Sequence, residues 1–149
     1  MKTVTCAMVL INKDGDILGC HGTEKPIENG YDLPKGCRDD ADKDDLATAI
    51  RELQEETGII LLDKENVIDA GVHKHNAKKN IHIFIYRVKS FMNLFDLSKL
   101  NCTTYFEDKH GKTVPEMDGY RIISKGERSK YFYHVLQDKF ELIDKINEK

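Results

Sequence analysis

Apolar positions in this chain fall in short runs divided by polar turns, and their period changes along its length. Val4 to Ile11 is apolar and β-branched enough for a strand, and Asn12-Lys13-Asp14-Gly15 supplies a turn before a second run, Ile17 to Cys20. A β-hairpin is predicted there. Thr23 to Gly30 holds a Pro, an Asn and a Gly and reads as a loop leading into Tyr31-Asp32-Leu33-Pro34. Cys37 to Asp45 is acidic and polar, an exposed loop. From about Asp44 to Thr57 the period becomes helical: Leu46, Ala49, Ile50, Leu53 and the Thr57 methyl fall on one face, and Gly58 stands where a left-handed C-cap belongs. Ile59 to Leu62 and Val67 to His73 are the next candidate strands, separated by Asp63-Lys64-Glu65-Asn66. A basic turn, His73 to Asn80, joins the latter to the strand-like run Ile81 to Val88. Phe91 to Leu100 lacks a clean period and suits a short helix or an irregular excursion. Cys102 to Phe106 and Lys112 to Val114 flank Glu107-Asp108-Lys109-His110-Gly111 as a second hairpin, and Pro115 to Ser124 holds a late strand. Lys130 to Lys145 sets Phe132, Val135, Leu136, Phe140 and Ile143, with Ile146 beyond, at helical spacing, an amphipathic helix closing the core. Strands, a helix, more strands and a terminal helix predict an α+β sandwich, a mixed central sheet with a helix on either side.

Composition narrows the picture modestly. The 149 residues, 40% of them hydrophobic, fit one domain spanning 1–149 with a real core. A net charge of -3 argues against long-range attraction to nucleic acid or an anionic membrane, so any polyanion must be bound locally. Cys6, Cys20, Cys37 and Cys102 are widely spaced with no C-x-x-C pair, which predicts reduced thiols and a cytoplasmic location. Met1 to Ile11 is too short for a signal-peptide core, and no apolar run reaches membrane-spanning length. His73, His75 and His82 have no second ligand pair at zinc spacing.

The chemistry concentrates on the acidic side of the predicted helix. Glu52, Glu55 and Glu56 sit at i, i+3 and i+4 and project close together from one face. Such a cluster is destabilising unless neutralised, and a hard divalent cation held by oxygen ligands is the usual remedy. Arg51, four residues before Glu55, is placed to pair with it. No competing phosphate motif is present: the chain lacks G-x-x-x-x-G-K-[ST], a G-x-G-x-x-G after a strand, and a G-x-S-x-G nucleophile turn.

The stretch from Gly36 to Ile59 resembles the Nudix hydrolase box, G-x5-E-x7-R-E-U-x-E-E-x-G-U with U a bulky aliphatic. Arg51, Glu52, Leu53, Glu55, Glu56, Gly58 and Ile59 match its second half. The first half departs. Counting forward from Gly36 puts the box's first Glu at Asp42, and counting back from Arg51 puts it at Lys43, so the loop carries one extra residue. That Glu thus has no secure counterpart, and Asp42 or Asp44 is left to cap the helix N-terminus. The resemblance implies the family's α/β/α sandwich and hydrolysis of a diphosphate linkage in a nucleoside diphosphate joined to another moiety, with Mg²⁺, or Mn²⁺ in its place. It implies Glu52, Glu55 and Glu56 as metal ligands, Arg51 as the residue orienting them, and the Gly36 carbonyl completing the shell. Glu116, ahead of an aromatic-Arg pair, is a further candidate for the metal site, and either it or one of the three helix glutamates is the base. Tyr31, Lys35, Lys74 and Lys78 are candidate substrate contacts, with Lys79 and Arg87 as further cations and Tyr105 and Phe106 as further stacking surfaces. The subfamily signatures downstream of the box are absent from Lys74-His75-Asn76-Ala77-Lys78, and an S-Q-P-W signature is excluded because the chain has no Trp. The size and the Pro115-to-Ile123 segment resemble small dinucleoside polyphosphate or ADP-ribose hydrolases such as those of T4-type phages. Alternatives are removal of a nucleotide cap from an RNA end and a non-catalytic nucleotide-sensing domain; the sensor would be expected to lose metal-binding glutamates, and all three are kept.

Overall fold

The computed structural model describes residues 2–149. The first apolar run becomes β1 (Thr3–Ile11), the middle of the main sheet. It pairs in parallel with β6 (Lys79–Arg87) and antiparallel with β4 (Lys35–Cys37). The predicted hairpin with β2 (Ile17–Gly22) forms only at its turn, where Ile11 faces Ile17. Beyond that point the strands splay: β2 pairs with β3 (Tyr31–Asp32) and β9 (Met117–Ile123), while β4 takes the place beside β1. β5 (Ile68–Lys74) completes the other edge against β6. One parallel pair among antiparallel ones makes the sheet mixed, as expected.

Both faces of this sheet are covered. Successive side chains of β1 point to opposite sides, so Ala7, Val9 and Ile11 join one core with Ile83, Phe132 and Ile143, while Cys6, Met8 and Leu10 join another with Ala49 and Leu53. Burial on two faces is why β1 reads as an almost unbroken apolar run. The second core lies under α1 (Asp45–Thr57). Asp44 is its N-cap, accepting the Ala47 N–H at 2.8 Å. Gly58 ends it in the left-handed region, φ 83°, with its N–H on the Gln54 carbonyl at 2.8 Å.

Two predicted elements are corrected. Ile59 to Leu62 is not a strand: Ile59 and Leu61 are buried and Ile60 and Leu62 exposed, so the alternation is real, but among the described residues no strand pairs with the segment. The flanks of β1 are already taken by β2, β4 and β6, and the chain after Gly58 instead adds Ile59 and Leu61 to the second core. A 3-10 turn, Lys64–Asn66, follows. The single terminal helix is broken into α3 (Arg128–Tyr131), a 3-10 segment His134–Lys139, and α4 (Phe140–Asn147). Phe132 and Tyr133 are extended at the break, where the Tyr133 N–H reaches the Tyr31 carbonyl at 2.9 Å. The chain leaves the helix to make that sheet-like contact, and Phe132, Leu136, Phe140 and Ile143 still fill the first core.

Phe91 to Leu100 contains a short helix, α2 (Phe91–Leu94), and a 3-10 turn, Leu97–Lys99. The second hairpin forms as β7 (Tyr105–Glu107) and β8 (Thr113–Pro115), a separate two-stranded sheet leading through Glu116 into β9. Among the described residues no helix is long and apolar enough to cross a membrane.

Candidate active site

The site forms where α1 crosses β4. Gly36 lies opposite Cys6 and so faces the helix. A Cβ at Gly36 would stand 2.2 Å from the Glu52 carboxyl carbon, so only glycine leaves that carboxylate room against the backbone.

Arg51 organises the acids around it. Its Nε donates to Asp42 Oδ1 at 3.0 Å and its Nη2 to Asp42 Oδ2 at 2.9 Å and to the Cys37 carbonyl at 3.1 Å. Nη1 donates to Glu52 Oε1 at 3.1 Å and Glu55 Oε2 at 3.0 Å. Asp42 also accepts from Thr48 Oγ1 at 2.9 Å. The guanidinium beside it holds the Asp42 carboxyl well below the usual carboxylate range. Of the two residues left open for the helix N-terminus, Asp44 takes the cap and Asp42 takes Arg51. The signal was the forward count from Gly36, which lands on Asp42.

Glu56 is 3% exposed. Its Oε1 accepts the Lys35 N–H at 3.2 Å, and its carbonyl accepts the Tyr120 hydroxyl. Burial, joined by the charges of Glu52 and Asp32, pushes its carboxyl up to about 9. Glu52 is pushed up to about 7, by burial first; Arg51 opposes the rise, and Glu55 and Glu116 add to it. The arrangement therefore concentrates more negative charge than Arg51 compensates. Among the described residues no group of three or more His, Cys, Asp or Glu side chains closes into a ready metal shell. Glu52 and Glu55 are drawn onto Arg51 Nη1, and Glu56 turns to the Lys35 amide.

Backbone bonds tie Glu116 to the end of α1. The Thr103 N–H and Oγ1 donate to the Glu55 carbonyl at 2.7 and 3.1 Å, the Asn101 N–H donates to the Thr57 carbonyl at 3.0 Å, and the Glu116 N–H donates to the Thr104 carbonyl at 3.0 Å. These ties, with the Tyr120 hydroxyl, escaped the sequence reading because they join segments far apart along the chain.

The other predicted residues separate. The Tyr31 ring is 5% exposed and packed by His21, Tyr131 and Arg121, so its faces are covered by protein and the stacking role expected of it is corrected. Lys35 sends its ammonium to Asp32 at 3.1 Å. Lys74 and Lys78 are exposed on the β5–β6 hairpin, and Arg87 is bound to the Ile146 carbonyl at the end of α4. Phe106, by contrast, lines a cavity of about 490 Å³ together with Glu116. A larger cavity, about 620 Å³, lies on the flank of α1 around Leu46, Ile50 and Leu61 and includes none of the three helix glutamates.

Residues 1–120 match the family model described as the NUDIX domain. An uncharacterized 17.7 kDa protein in the e-segB intergenic region of Enterobacteria phage T4 is 30% identical over 129 residues, 84% of each chain. Among solved structures, the NUDIX domain of Shewanella oneidensis NrtR, complexed with ADP ribose, superposes with a TM-score of 0.69 at 11% identity, covering 98% of this chain and 88% of that one. An ADP-ribose pyrophosphatase from Streptococcus suis 89-1591 gives 0.64 at 14% identity, over 100% and 94%. A C. elegans Ap4A hydrolase gives 0.63 at 16% identity, over 97% and 96%. With the family model spanning residues 1–120 and a 30% identical relative covering 84% of each chain, the chain belongs to the Nudix hydrolase family.

Proposed function

We propose that this chain hydrolyses a diphosphate bond in a nucleoside diphosphate joined to another moiety, with dinucleoside polyphosphates or ADP-ribose as substrates and Mg²⁺ as the working ion, Mn²⁺ substituting. The observation that carries this reading is the crowding of Glu52 and Glu56 beside Gly36, with Glu55 held next to them by Arg51. The activities of the Streptococcus suis and C. elegans neighbours support the substrate class.

The donor set suits a hard divalent cation: carboxylates of Glu52, Glu55, Glu56 and Glu116, the Gly36 carbonyl, and the space that glycine leaves against Glu52. When bound, such an ion neutralises phosphoryl oxygens and activates water. Asp42 keeps Arg51 in place through Nε and Nη2, so Nη1 can release Glu52 and Glu55 without the guanidinium moving. One of the four glutamates receives the proton of the attacking water. Lys35, Lys74 and Lys78 are the cations assigned to substrate phosphates.

The test is product release from a panel of ADP-ribose, diadenosine tri- and tetraphosphate, FAD, NADH and nucleoside triphosphates with Mg²⁺, comparing wild type with Glu55→Gln. Turnover of one substrate, reduced about 10²–10⁴-fold in the variant, is expected. No turnover of any, beside tight nucleotide binding, would replace the hydrolase with a nucleotide-sensing domain.

A further inference from the structure

The last turn of α1 carries its acids at the unfavourable end of the helix. Backbone carbonyls gather partial negative charge at a helix C-terminus, where cations are favoured and carboxylates are not. Glu55 and Glu56 lie in that turn, and it has no basic residue to offset them. The helix's own cap meets only part of the demand. Of the last four carbonyls, which ordinarily lack a partner within the helix, that of Gln54 accepts the Gly58 N–H at 2.8 Å. The Ile59 N–H, next in line, turns back to Thr57 Oγ1 at 3.0 Å. The carbonyls of Glu55, Glu56 and Thr57 are left over.

Each of these three is met by a donor from a distant segment. Thr103 covers Glu55 with both its N–H and its hydroxyl, the Tyr120 hydroxyl covers Glu56, and the Asn101 N–H covers Thr57. Helix ends commonly leave such groups to water; here a strap, Asn101 to Thr104, crosses them. Cys102 anchors the strap, buried and with Sγ 3.3 Å from the Thr104 carbonyl. The Thr104 carbonyl also accepts the Glu116 N–H at 3.0 Å, and the Glu116 carbonyl accepts the Thr23 N–H at 3.1 Å. Tyr120 packs against the second core from β9, the strand that starts directly after Glu116. Glu116 is therefore joined to the turn of Glu55 and Glu56 by two routes, one through Thr104 and Thr103, the other through β9 and Tyr120.

We propose that Tyr120 and Thr103 are positioning residues for the carboxylate centre: by holding the Glu56 and Glu55 carbonyls they keep the last turn of α1 in register with Glu116, so that carboxylates from two elements serve one cation. The inference rests on the reading of those carboxylates as cation ligands, and it names the groups that set their spacing. Two effects combine. Donors on the carbonyls offset the partial charge that opposes Glu55 and Glu56, and ties to β9 and the strap restrain a terminal turn that would otherwise fray. Both residues act through backbone, leaving the glutamate side chains free to turn toward an ion.

The test reads cation binding and backbone exchange rather than turnover. Tyr120→Phe and Thr103→Val each delete a hydroxyl and keep the shape of the side chain. Mn²⁺ affinity is measured from the paramagnetic resonance of the free ion, and amide exchange is followed in metal-free protein. Ile143→Val, a trimmed side chain in the other core, controls for general loss of stability. Mn²⁺ is expected to bind Tyr120→Phe about 10-fold more weakly, the scale of loss when a group supporting a ligand is removed. Exchange at Glu56, Thr57 and Gly58 should quicken about fivefold to tenfold, as for one lost hydrogen bond, while Ala49 and Ile50 keep their wild-type protection. Thr103→Val, which retains its N–H bond, should show the same pattern more weakly, and Ile143→Val should bind Mn²⁺ as wild type does. Unchanged Mn²⁺ affinity in Tyr120→Phe, or an equal loss in Ile143→Val, would overturn the proposal. Glu55→Gln separates it from the reading beneath it: if that variant loses Mn²⁺ affinity and Tyr120→Phe does not, the carboxylates remain the cation site and only the positioning role falls. A wild-type protein that binds no Mn²⁺ would remove both.

Discussion

Arg51 bridges three segments through one planar group, reaching Asp42, the Cys37 carbonyl, Glu52 and Glu55. A lysine cannot reproduce that fork, since a single ammonium cannot serve the Asp42 carboxylate and both glutamates in fixed directions. Arg51→Lys should therefore lower kcat by about 10²-fold, the scale of loss when a reactive group is misplaced by an ångström. Steady-state kinetics on the substrate found by the panel would check it, and an unchanged rate would remove Arg51 from the site. Gly36→Ala should be equally damaging to activity with little loss of melting temperature, because the added methyl meets the movable Glu52 carboxylate rather than backbone. Glu52 and Glu56, raised to about 7 and about 9, hold protons that a cation must displace. Mg²⁺ binding at pH 7 is expected to release protons, measurable as a buffer-dependent heat in calorimetry. Heats identical across buffers of different ionisation enthalpy would contradict this.

The helix α1 carries its own boundary signals. Asp44 at the N-cap and Gly58 at the C-cap are read from neighbours three or four residues away, which is why both were legible in the sequence. Replacing Asp44 with Ala should cost about 1 kcal/mol by chemical denaturation. Leu53, fully buried between α1 and the sheet, is a heavier anchor, and Leu53→Ala should cost about 2–5 kcal/mol and loosen the glutamates with it. The terminal segment teaches the opposite lesson. Its apolar spacing named the right core residues and the wrong element, because the Tyr133 N–H takes the Tyr31 carbonyl, a partner about a hundred positions away in sequence that no local period encodes. Ile59 to Leu62 fails for a related reason: its alternation is strand-like, but among the described residues it pairs with no strand and gives Ile59 and Leu61 to the second core instead.

Across the whole molecule, the two sandwich cores hold the sheet while the carboxylate cluster works against it. The folded-state carboxyls of Glu52 and Glu56 are raised, so the native chain keeps protons that the unfolded chain gives up. Their contribution is fully present below the ordinary value of 4.5 and is lost as pH rises through about 7 and toward about 9. Metal-free protein should melt at progressively lower temperature between pH 5 and pH 9, and saturating Mg²⁺ should flatten the slope. A thermal-unfolding series in EDTA and in Mg²⁺ tests both halves, and a melting temperature that climbs over this range without metal would refute the cluster's assigned charge. By itself the sequence determined the alternation of strands and helices, the caps of α1, and the i, i+3, i+4 cluster, because periods of 2 and 3.6 and capping bonds act within a few residues. Tertiary structure alone decided that β4 displaces β2 beside β1, that Tyr31 is buried while Phe106 reaches a cavity, and that Asp42 holds Arg51. Those outcomes depend on which distant segments win each sheet edge and each packing face, a competition settled only when the whole chain is folded.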